Sequence, residues 1–302
     1  MKKIKKLTLF MAAILTLSAC TKEPVAPDNY QNSSETGGAI EAKYMANGPY
    51  AVSKHEDNVL QEFKKFTVYY PSELDRADRT WPVIVLCNGS GTPLSQYPAV
   101  AKHFASWGFI VVGTEEDYSW NAFGAEMSIR YLERWNENET IEDTRSLFYH
   151  KVDFNNVGIV GHSQGGIGVF NAITETQHKN VYKAAVSLSP TNMELAHNLM
   201  WDYDVTKIDI PIMLISGEGG GDDWVLTLEQ LQTIYNKITS SKMMMRRIET
   251  VHNEMLYAPN GYVMAWFMWQ LQNDAEAAKA FVGNAPEVLS NPLYVNQQIN
   301  LE

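Results

Sequence analysis

Cysteine is scarce in this sequence: only Cys20 and Cys87 occur among 302 residues. Small domains that depend on disulfides need several cysteine pairs, so the composition excludes a disulfide-stapled scaffold. The chain also has no CxxC pair and no HExxH motif, which excludes the commonest zinc-site patterns. Cys87 ends an apolar run and is predicted to be a buried, inert thiol.

Positive charge is scarce as well, because 24 lysines and arginines face 35 aspartates and glutamates, a net charge of −11. Cleavage of a leader that holds the lysines at positions 2, 3, 5 and 6 leaves 20 basic against 35 acidic residues, a charge of −15. Such an acidic surface repels nucleic-acid phosphates and anionic lipids. We therefore expect no nucleic-acid partner and no basic patch that binds membranes.

The N-terminus combines those four lysines with an apolar run over residues 7–17, which is too short to span a bilayer and is typical of a signal peptide. The run ends in Leu17-Ser18-Ala19-Cys20, which resembles the lipobox of bacterial lipoproteins. That resemblance implies acylation of Cys20 and a membrane-anchored, extracytoplasmic protein that contacts the membrane through this lipid alone. The alternative is an ordinary secretory signal with an incidental cysteine, which also predicts an extracytoplasmic location.

Three regions follow from this organisation. Residues 1–19 are predicted to be the signal peptide, and residues 20–40 a flexible tether that begins at the lipidated cysteine, because they are polar and contain proline and glycine. Residues 41–302 are enough for a single α/β domain. Its tail over residues 281–302 is rich in asparagine, proline and glutamine and is predicted to wrap the surface. We expect a monomer.

Short apolar runs alternate with longer helical patterns along the domain, which predicts a mostly parallel, doubly wound sheet with helices on both faces. The predicted strands cover residues 66–70, 83–87, 109–113, 157–160, 184–188, 212–216 and 245–249, and the predicted helices cover residues 98–106, 122–135, 164–175, 226–239 and 262–272.

One short motif indicates a reaction class. Gly161-His162-Ser163-Gln164-Gly165 fits G-x-S-x-G and follows an apolar strand directly, as in a nucleophile elbow. The glycines are needed because a serine at such a turn sits on a strained backbone close to neighbouring chain. Ser163 is therefore the candidate nucleophile. The alternative is a glycine-rich turn that carries a surface serine.

A serine nucleophile needs a histidine base, and three histidines follow Ser163 in the chain. His252 comes after a predicted strand and before a helix, where this site architecture places its base. His178 lies in a polar segment and His197 in a helical excursion, so both are weaker candidates.

The histidine in turn needs an acid that orients it. Residues 212–216 lead into a glycine-rich loop that holds Glu218, Asp222 and Asp223. We favour Asp222 as the acid, with Asp223 next, because an aspartate in a constrained loop is the usual solution.

Two backbone amides must stabilise the oxyanion that forms during acyl transfer. Gln164, directly after the nucleophile, is expected to supply one. The second is expected from Ser90, with Gly89 and Gly91 as neighbouring candidates, because the small residues after strand 83–87 let the backbone approach a substrate.

Two further features are open to two interpretations. Glu115-Glu116-Asp117 is either a cation site or, more commonly, a solvated loop. Four aromatic side chains either line an aromatic-accepting cleft or pack in the core; they are Trp120, Trp201, Tyr203 and Trp224. We predict no metal and no cofactor.

Taken in chain order, these motifs resemble a known family, the bacterial cutinase and polyester-hydrolase branch of the α/β-hydrolases, close to the dienelactone-hydrolase-like group. The resemblance covers roughly residues 48–271 and implies Ser163, Asp222 and His252 as the triad, with the amides of Ser90 and Gln164 as the oxyanion hole. It rests on Gly48-Pro49-Tyr50-Ala51-Val52, Tyr69-Tyr70-Pro71, the elbow, Leu188-Ser189-Pro190, Asp222 with Trp224-Val225, and His252.

Three positions depart from that branch. Polyester hydrolases usually carry methionine where Gln164 stands, tryptophan where Thr191 stands, and an aromatic residue where Ser90 stands. The resemblance therefore implies hydrolysis of small-molecule or polymeric carboxylic esters through an acyl-enzyme, without the aromatic clamp of the branch. The alternatives are a lipid-anchored binding protein without turnover, or a lactone or amide hydrolase that uses the same triad.

Overall fold

A central sheet organises the molecule, and its strand order places the candidate site. The computed structural model describes residues 25–59 and 63–301, so Cys20 and the predicted signal peptide lie outside it. Within those residues nine strands form one sheet in the order β1-β2-β4-β3-β7-β8-β9-β10-β11, and a separate hairpin pairs β5 with β6. The strands are β1 (Val52–Asn58), β2 (Lys65–Pro71), β3 (Trp81–Cys87), β4 (Ile110–Thr114), β5 (Thr140–Ile141), β6 (Thr144–Arg145), β7 (Val152–His162), β8 (Tyr182–Leu188), β9 (Ile212–Gly217), β10 (Lys242–Arg247) and β11 (Tyr294–Asn300).

Helices cover both faces of this sheet, as the alternating pattern predicts for an α/β-hydrolase fold. One core lies between the sheet and α3, α8 and the N-terminal segment, and the other lies beneath α4, α5 and α7. None of the helices in the described residues is long and apolar enough to cross a membrane. The helices are α1 (Tyr30–Ser33), α2 (Ala39–Met45), α3 (Pro98–Ser106), α4 (Phe123–Glu137), α5 (Gln164–Thr174), α6 (Met193–Asn198), α7 (Leu228–Lys237), α8 (Asn260–Gln272) and α9 (Ala275–Ala278).

The six central strands, β4 to β10 in sheet order, run parallel to one another. Strands β3 and β4 are buried along their whole length, which is why their sequences are apolar throughout rather than alternating. All seven predicted strands are confirmed, although the last one begins three residues earlier than predicted, at Lys242. The carboxyl ends of the parallel strands share one edge of the sheet, and the loops at this edge hold the candidate site.

The margins of the sheet contain strands that the sequence pattern missed. Strand β1 pairs antiparallel with β2, and β11 pairs antiparallel with β10. The predicted surface-wrapping tail therefore ends as an edge strand. Its asparagines and glutamines give no apolar periodicity, and it joins the sheet because backbone pairing with β10 does not depend on side-chain type.

The N-terminal segment also differs from the prediction of a flexible tether over residues 20–40. From Val25 onward it packs on the domain, and Ala26 and Tyr30 are fully buried. Tyr30 places its hydroxyl 2.7 Å from Nδ1 of His103 in α3 and accepts a hydrogen bond from Asn260 at 3.0 Å. A polar composition was a poor guide here, because a few buried contacts are enough to order a segment that lies along an existing core.

Candidate active site

Ser163 occupies a sharp turn between β7 and α5. Its backbone has φ 58° and ψ −122°, a strained conformation for a residue with a side chain. A Cβ on Gly161 would lie 2.2 Å from the carbonyl oxygen of Gly165, and a Cβ on Gly165 would lie 2.2 Å from the carbonyl oxygen of Cys87. Both positions therefore require glycine, and the turn exposes the serine hydroxyl at the carboxyl edge of the sheet.

Three side chains from separate loops meet at this turn. Nε2 of His252 lies 2.8 Å from Oγ of Ser163, and Nδ1 of the same ring lies 2.6 Å from Oδ1 of Asp222. His252 lies in the loop after β10 and Asp222 in the loop after β9. The arrangement is the geometry that general-base activation of a serine requires.

The two neighbouring aspartates have different partners. Asp222 is fully buried, and its second oxygen accepts hydrogen bonds from the Gly217 amide at 2.6 Å and from the Ser189 hydroxyl at 2.7 Å. Asp223 instead pairs with the guanidinium of Arg246. The structure therefore brings Asp222, and not Asp223, to the histidine, while Glu218 is exposed on the same loop.

The other two candidate histidines lie elsewhere. The ring nitrogens of His178 lie 2.7 Å from Glu126 and 3.2 Å from Glu133, both on helix α4. His197 is exposed on α6 and lies 2.8 Å from Asp202. Neither ring is placed at Ser163.

His162 supports the loop that carries His252. Its Nε2 lies 2.8 Å from the backbone oxygen of His252, and the two rings pack 4.5 Å apart. Burial, aided by the nearby charge of His252, lowers the pKa of His162 to about 3. His162 is therefore neutral at physiological pH and donates this hydrogen bond without adding a second positive charge beside the candidate base.

The loop after β3 lies close to the serine. A Cβ on Gly89 would come within 3.7 Å of Cβ of Ser163. The Gly91 amide donates a hydrogen bond to the backbone oxygen of Asp117 at 2.9 Å. The Ser90 amide makes no hydrogen bond to any residue that the structure describes. On the other side of the serine, the Gln164 amide begins α5, where backbone N–H groups have no partner within the helix.

A series of buried hydrogen bonds connects the loop after β3 to the loop after β4. The Asn88 amide group donates to the oxygens of Thr114 and Glu116, and the Ser119 hydroxyl donates to the Asn88 oxygen at 2.5 Å. The Ser119 amide then donates to Oε1 of Gln164 at 2.9 Å. Gln164 thus links the elbow to the loop after β4, a role for its side chain that the sequence motif does not signal.

The acidic run at residues 115–117 is divided among different partners. Glu115 accepts hydrogen bonds from the amide and hydroxyl of Ser95, and Asp117 pairs with Lys64. Glu116 is buried beside the start of α4. In the described part of the chain, no group of three or more histidine, cysteine or acidic side chains is placed to hold a metal ion.

Comparison with known proteins identifies the family. The family model described as PETase, PET hydrolase-like, matches residues 26–294. The chain belongs to this family. Bis(hydroxyethyl) terephthalate hydrolase of Streptomyces coelicolor is 24% identical over 269 residues, covering 86% of this chain and 77% of the relative. Cutinase cut1 of Thermobifida fusca is 22% identical over 286 residues, covering 88% and 80%, and cutinase est1 of Thermobifida alba is 24% identical over 247 residues, covering 78% and 73%.

The cleft of this PET hydrolase-like protein takes its aromatic residues from two loops. It has a volume of about 310 Å³, and Trp201 and Trp224 line it beside Ser163. Trp224 is 67% exposed and packs edge-on against His252, with ring centroids 5.2 Å apart. Tyr203 instead packs on Phe170, and Trp120 does not line the cleft. Two of the four aromatic candidates therefore lie at the site.

Two positions around the acid carry no strong sequence signal. Ser189, at the end of β8, has φ 42° and donates to Asp222. Arg246 is 5% exposed and donates to the Gly217 oxygen, which fixes the start of the acid loop. An arginine in an apolar strand, followed by a second arginine, is the one unusual feature that could have drawn attention to it.

Proposed function

We propose that the protein is a serine esterase, a carboxylic-ester hydrolase in which Ser163 is the nucleophile, His252 the base and Asp222 the orienting acid. The observation that carries the proposal is the continuous hydrogen-bonded line from Asp222 through His252 to Ser163, at 2.6 and 2.8 Å, in an open cleft. Membership in the PET hydrolase-like family supports ester hydrolysis as the reaction class.

The geometry supports a two-step acyl transfer. Oγ of Ser163 attacks the carbonyl carbon while its proton passes to Nε2 of His252. The ester C–O bond then breaks as His252 returns that proton to the leaving alcohol, and an acyl-serine remains. A water molecule gives its proton to His252, attacks the acyl carbon and releases the acid as Ser163 regains its proton.

Two amides are proposed to stabilise the negative charge on the carbonyl oxygen in both steps, those of Gln164 and Ser90. Preorganised donors of this kind contribute a large share of catalysis because they need no reorganisation at the moment of reaction. Asp222 accepts a hydrogen bond from Nδ1 of His252 and so holds the ring proton there, which leaves Nε2 to accept the serine proton.

The cleft favours an apolar acyl group. Leu195 and Leu199 line it together with the two tryptophans, and a volume of about 310 Å³ suits a small ester or one repeat of a polymer. We therefore propose small-molecule esters and chain-terminal or surface ester groups of polymers as substrates. The names of the relatives, which include a bis(hydroxyethyl) terephthalate hydrolase and cutinases, support the same range.

We also propose that the protein is exported and anchored through a lipid on Cys20. The basic leader, the apolar run and the lipobox-like Leu17-Ser18-Ala19-Cys20 support this, and Cys20 lies outside the described residues. Metabolic labelling with a radioactive fatty acid should label the wild-type chain and leave Cys20→Ser unlabelled.

The enzymatic proposal is tested with Ser163→Ala. Hydrolysis of p-nitrophenyl butyrate should fall by on the order of 10⁴-fold while the circular dichroism stays unchanged, because the hydroxyl lies in the cleft and is bonded to His252 rather than to the backbone. A fluorophosphonate should label Ser163 in the wild type and nothing in the variant. Turnover that survives in Ser163→Ala, or a wild type that neither turns over nor is labelled, would refute the proposal and favour a binding protein. Parallel assays on a lactone and an anilide separate the other two reaction classes.

A further inference from the structure

Exposed apolar side chains cluster at the edge of the sheet that carries the site. Within the described residues, five of them lie on loops that follow the carboxyl ends of parallel strands, and we call them the apolar rim. Leu199 and Trp224 also line the cleft, so the rim includes part of the cleft wall. The apolar rim consists of Tyr118, Leu199, Met200, Trp224 and Val251.

The position of Met200 is unfavourable for an apolar residue on a surface that contacts only water. Its side chain is 78% exposed, and its backbone has φ 59°, in the left-handed region that asparagine and glycine tolerate better. A soluble surface gains nothing from a methionine at such a position. Apolar patches of this kind on a soluble protein mark contact with another apolar surface.

The N-terminal segment enters the domain at the same edge. The Val25 amide donates to the Gln96 oxygen at 2.7 Å, and Gln96 lies in a short turn only six residues after Ser90. Tyr30 then bonds to Asn260 at the first turn of α8, a helix that begins near the loop carrying His252. Burial of Ala26 and Tyr30 fixes this position.

This attachment limits how far the site can lie from the lipid anchor. Four residues lie between Cys20 and Val25, so the two are five residue steps apart, and a fully extended chain of five steps spans at most about 18 Å. A lipid on Cys20 therefore holds the carboxyl edge of the sheet, and not the opposite edge, next to the bilayer.

We propose that the apolar rim rests on the lipid bilayer in which Cys20 is anchored, so that the cleft opens toward the membrane and takes ester-bearing amphiphiles from its surface. The proposal rests on the acylation of Cys20 and on the esterase activity proposed above. The same edge exposes Glu218 and Glu249, which disfavours anionic lipids. The surface that fits is a bilayer of zwitterionic lipid.

The orientation is tested on the full-length acylated chain in phosphatidylcholine vesicles that contain a nitroxide-labelled lipid as quencher. An environment-sensitive fluorophore is attached to Met200→Cys or, as the matched control, to Leu147→Cys. Leu147 is an exposed apolar residue before β7, at the opposite edge of the sheet. Cys87 is buried and stays unlabelled. The fluorophore at position 200 should be quenched at least five-fold more than that at position 147.

Function is tested with the double variant Met200→Asn and Val251→Ser, since neither side chain lines the cleft. Hydrolysis of soluble p-nitrophenyl butyrate should stay within two-fold, whereas hydrolysis of a long-chain ester carried in the vesicles should fall about ten-fold. Leu147→Asn should change neither rate.

Equal quenching at positions 147 and 200, or a rim that contacts a polyester film but not the vesicles, would overturn the membrane orientation. Absence of a lipid on Cys20 would overturn it as well. Hydrolysis of the soluble ester reports on the esterase alone, so either failure is distinguishable from a failure of the proposed activity.

Discussion

Two buried carboxylates near the end of β10 accept similar sets of hydrogen bonds, but one lies in the candidate site and the other only joins distant segments of the chain. Asp222 accepts hydrogen bonds from Gly217, Ser189 and His252. Glu41 on α2 forms what we call the terminal clasp. It accepts from Arg247 at 3.2 Å, Tyr294 at 2.8 Å, Asn291 at 2.7 Å and the Gly37 amide at 2.8 Å. Both carboxylates are fully buried.

The difference lies in the cation-forming partner. In the clasp it is an arginine, a side chain type that proteins do not deprotonate, and it is buried against Glu35, Glu41 and Tyr294. In the site it is a histidine, whose second nitrogen reaches a serine in an open cleft. A buried carboxylate whose hydrogen bonds are all made can be purely structural, as Glu41 is in the clasp. In the triad proposed above, Asp222 acts in the reaction because its partner histidine can give and take a proton.

Strand β10 supports both clusters because adjacent residues point to opposite faces of the sheet. Arg246 holds the acid loop through the Gly217 oxygen and Asp223, and Arg247 holds the termini through Glu41 and the Glu35 oxygen at 2.7 Å. The pair couples the site to the N- and C-terminal segments through one short stretch of chain.

The largest expected effect comes from replacing the acid of the site. Asp222→Asn should lower kcat by on the order of 10⁴-fold, because an amide cannot hold the proton of His252 on Nδ1. Asp223→Asn is the matched control and should lower it less than ten-fold, since that carboxylate pairs with Arg246. Steady-state hydrolysis of p-nitrophenyl butyrate measures both. A greater loss in Asp223→Asn would mean that the acid is misassigned.

Replacing the cation of the terminal clasp should lower stability and leave activity unchanged, the reverse of the effect at the site. Arg247→Met leaves Glu41 buried without its cation and should lower the free energy of unfolding by about 3–5 kcal/mol, while kcat of the remaining folded enzyme stays within two-fold. Urea unfolding followed by circular dichroism measures the loss. Glu276→Gln breaks an exposed pair with Lys43 and should cost about 1 kcal/mol or less. Equal losses in the two variants would contradict a stabilising role of the clasp.

The N-terminal segment should also respond to acid. Burial lowers the pKa of His103 to about 4, below the ordinary value of 6.5, so the folded protein binds fewer protons than the unfolded chain between these values. Stability from this neutral histidine is present above pH 6.5 and is lost as the pH falls toward 4, by about 3 kcal/mol in total.

Replacing His103 by Gln should therefore reduce the loss of stability that occurs as the pH falls below 6.5. The difference between the urea midpoints at pH 7 and pH 4.5 should shrink in His103→Gln relative to the wild type. His197→Gln removes an exposed imidazole and serves as the control. His162, whose pKa burial lowers to about 3, should keep part of the acid sensitivity in this variant. A His103→Gln protein whose midpoint falls as steeply as that of the wild type would show that the buried His103 ring does not contribute to it.

Much of the fold and part of the site could be predicted because their signals are local. Strands such as β3 are apolar throughout, and Gly161 and Gly165 stand on either side of Ser163 because the backbone there allows no side chain. His252 follows the last parallel strand, so chain order alone brings it to the correct edge. Each of these signals is contained in a few adjacent residues.

Other features could not be predicted because they depend on partners far along the chain. Asp222 and Asp223 are adjacent, and only the positions of His252 and Arg246 distinguish their contacts. Glu41 meets Asn291 across 250 residues, and β11 becomes a strand because β10 offers an unpaired edge. Tyr30 lies in a polar stretch and is buried because α3 and α8 leave room for its ring.

The sequence by itself determined the parallel sheet, the nucleophile elbow and the histidine after the last parallel strand, since backbone strain and apolar periodicity act between near neighbours. Only the tertiary structure decided which acid faces that histidine, how residues 35–41 and 291–294 join one buried clasp, and at which edge of the sheet the segment from Val25 onward attaches. Those outcomes depend on hydrogen bonds and packing between segments that are far apart in the sequence. Their distance along the chain does not indicate how close they lie in the fold.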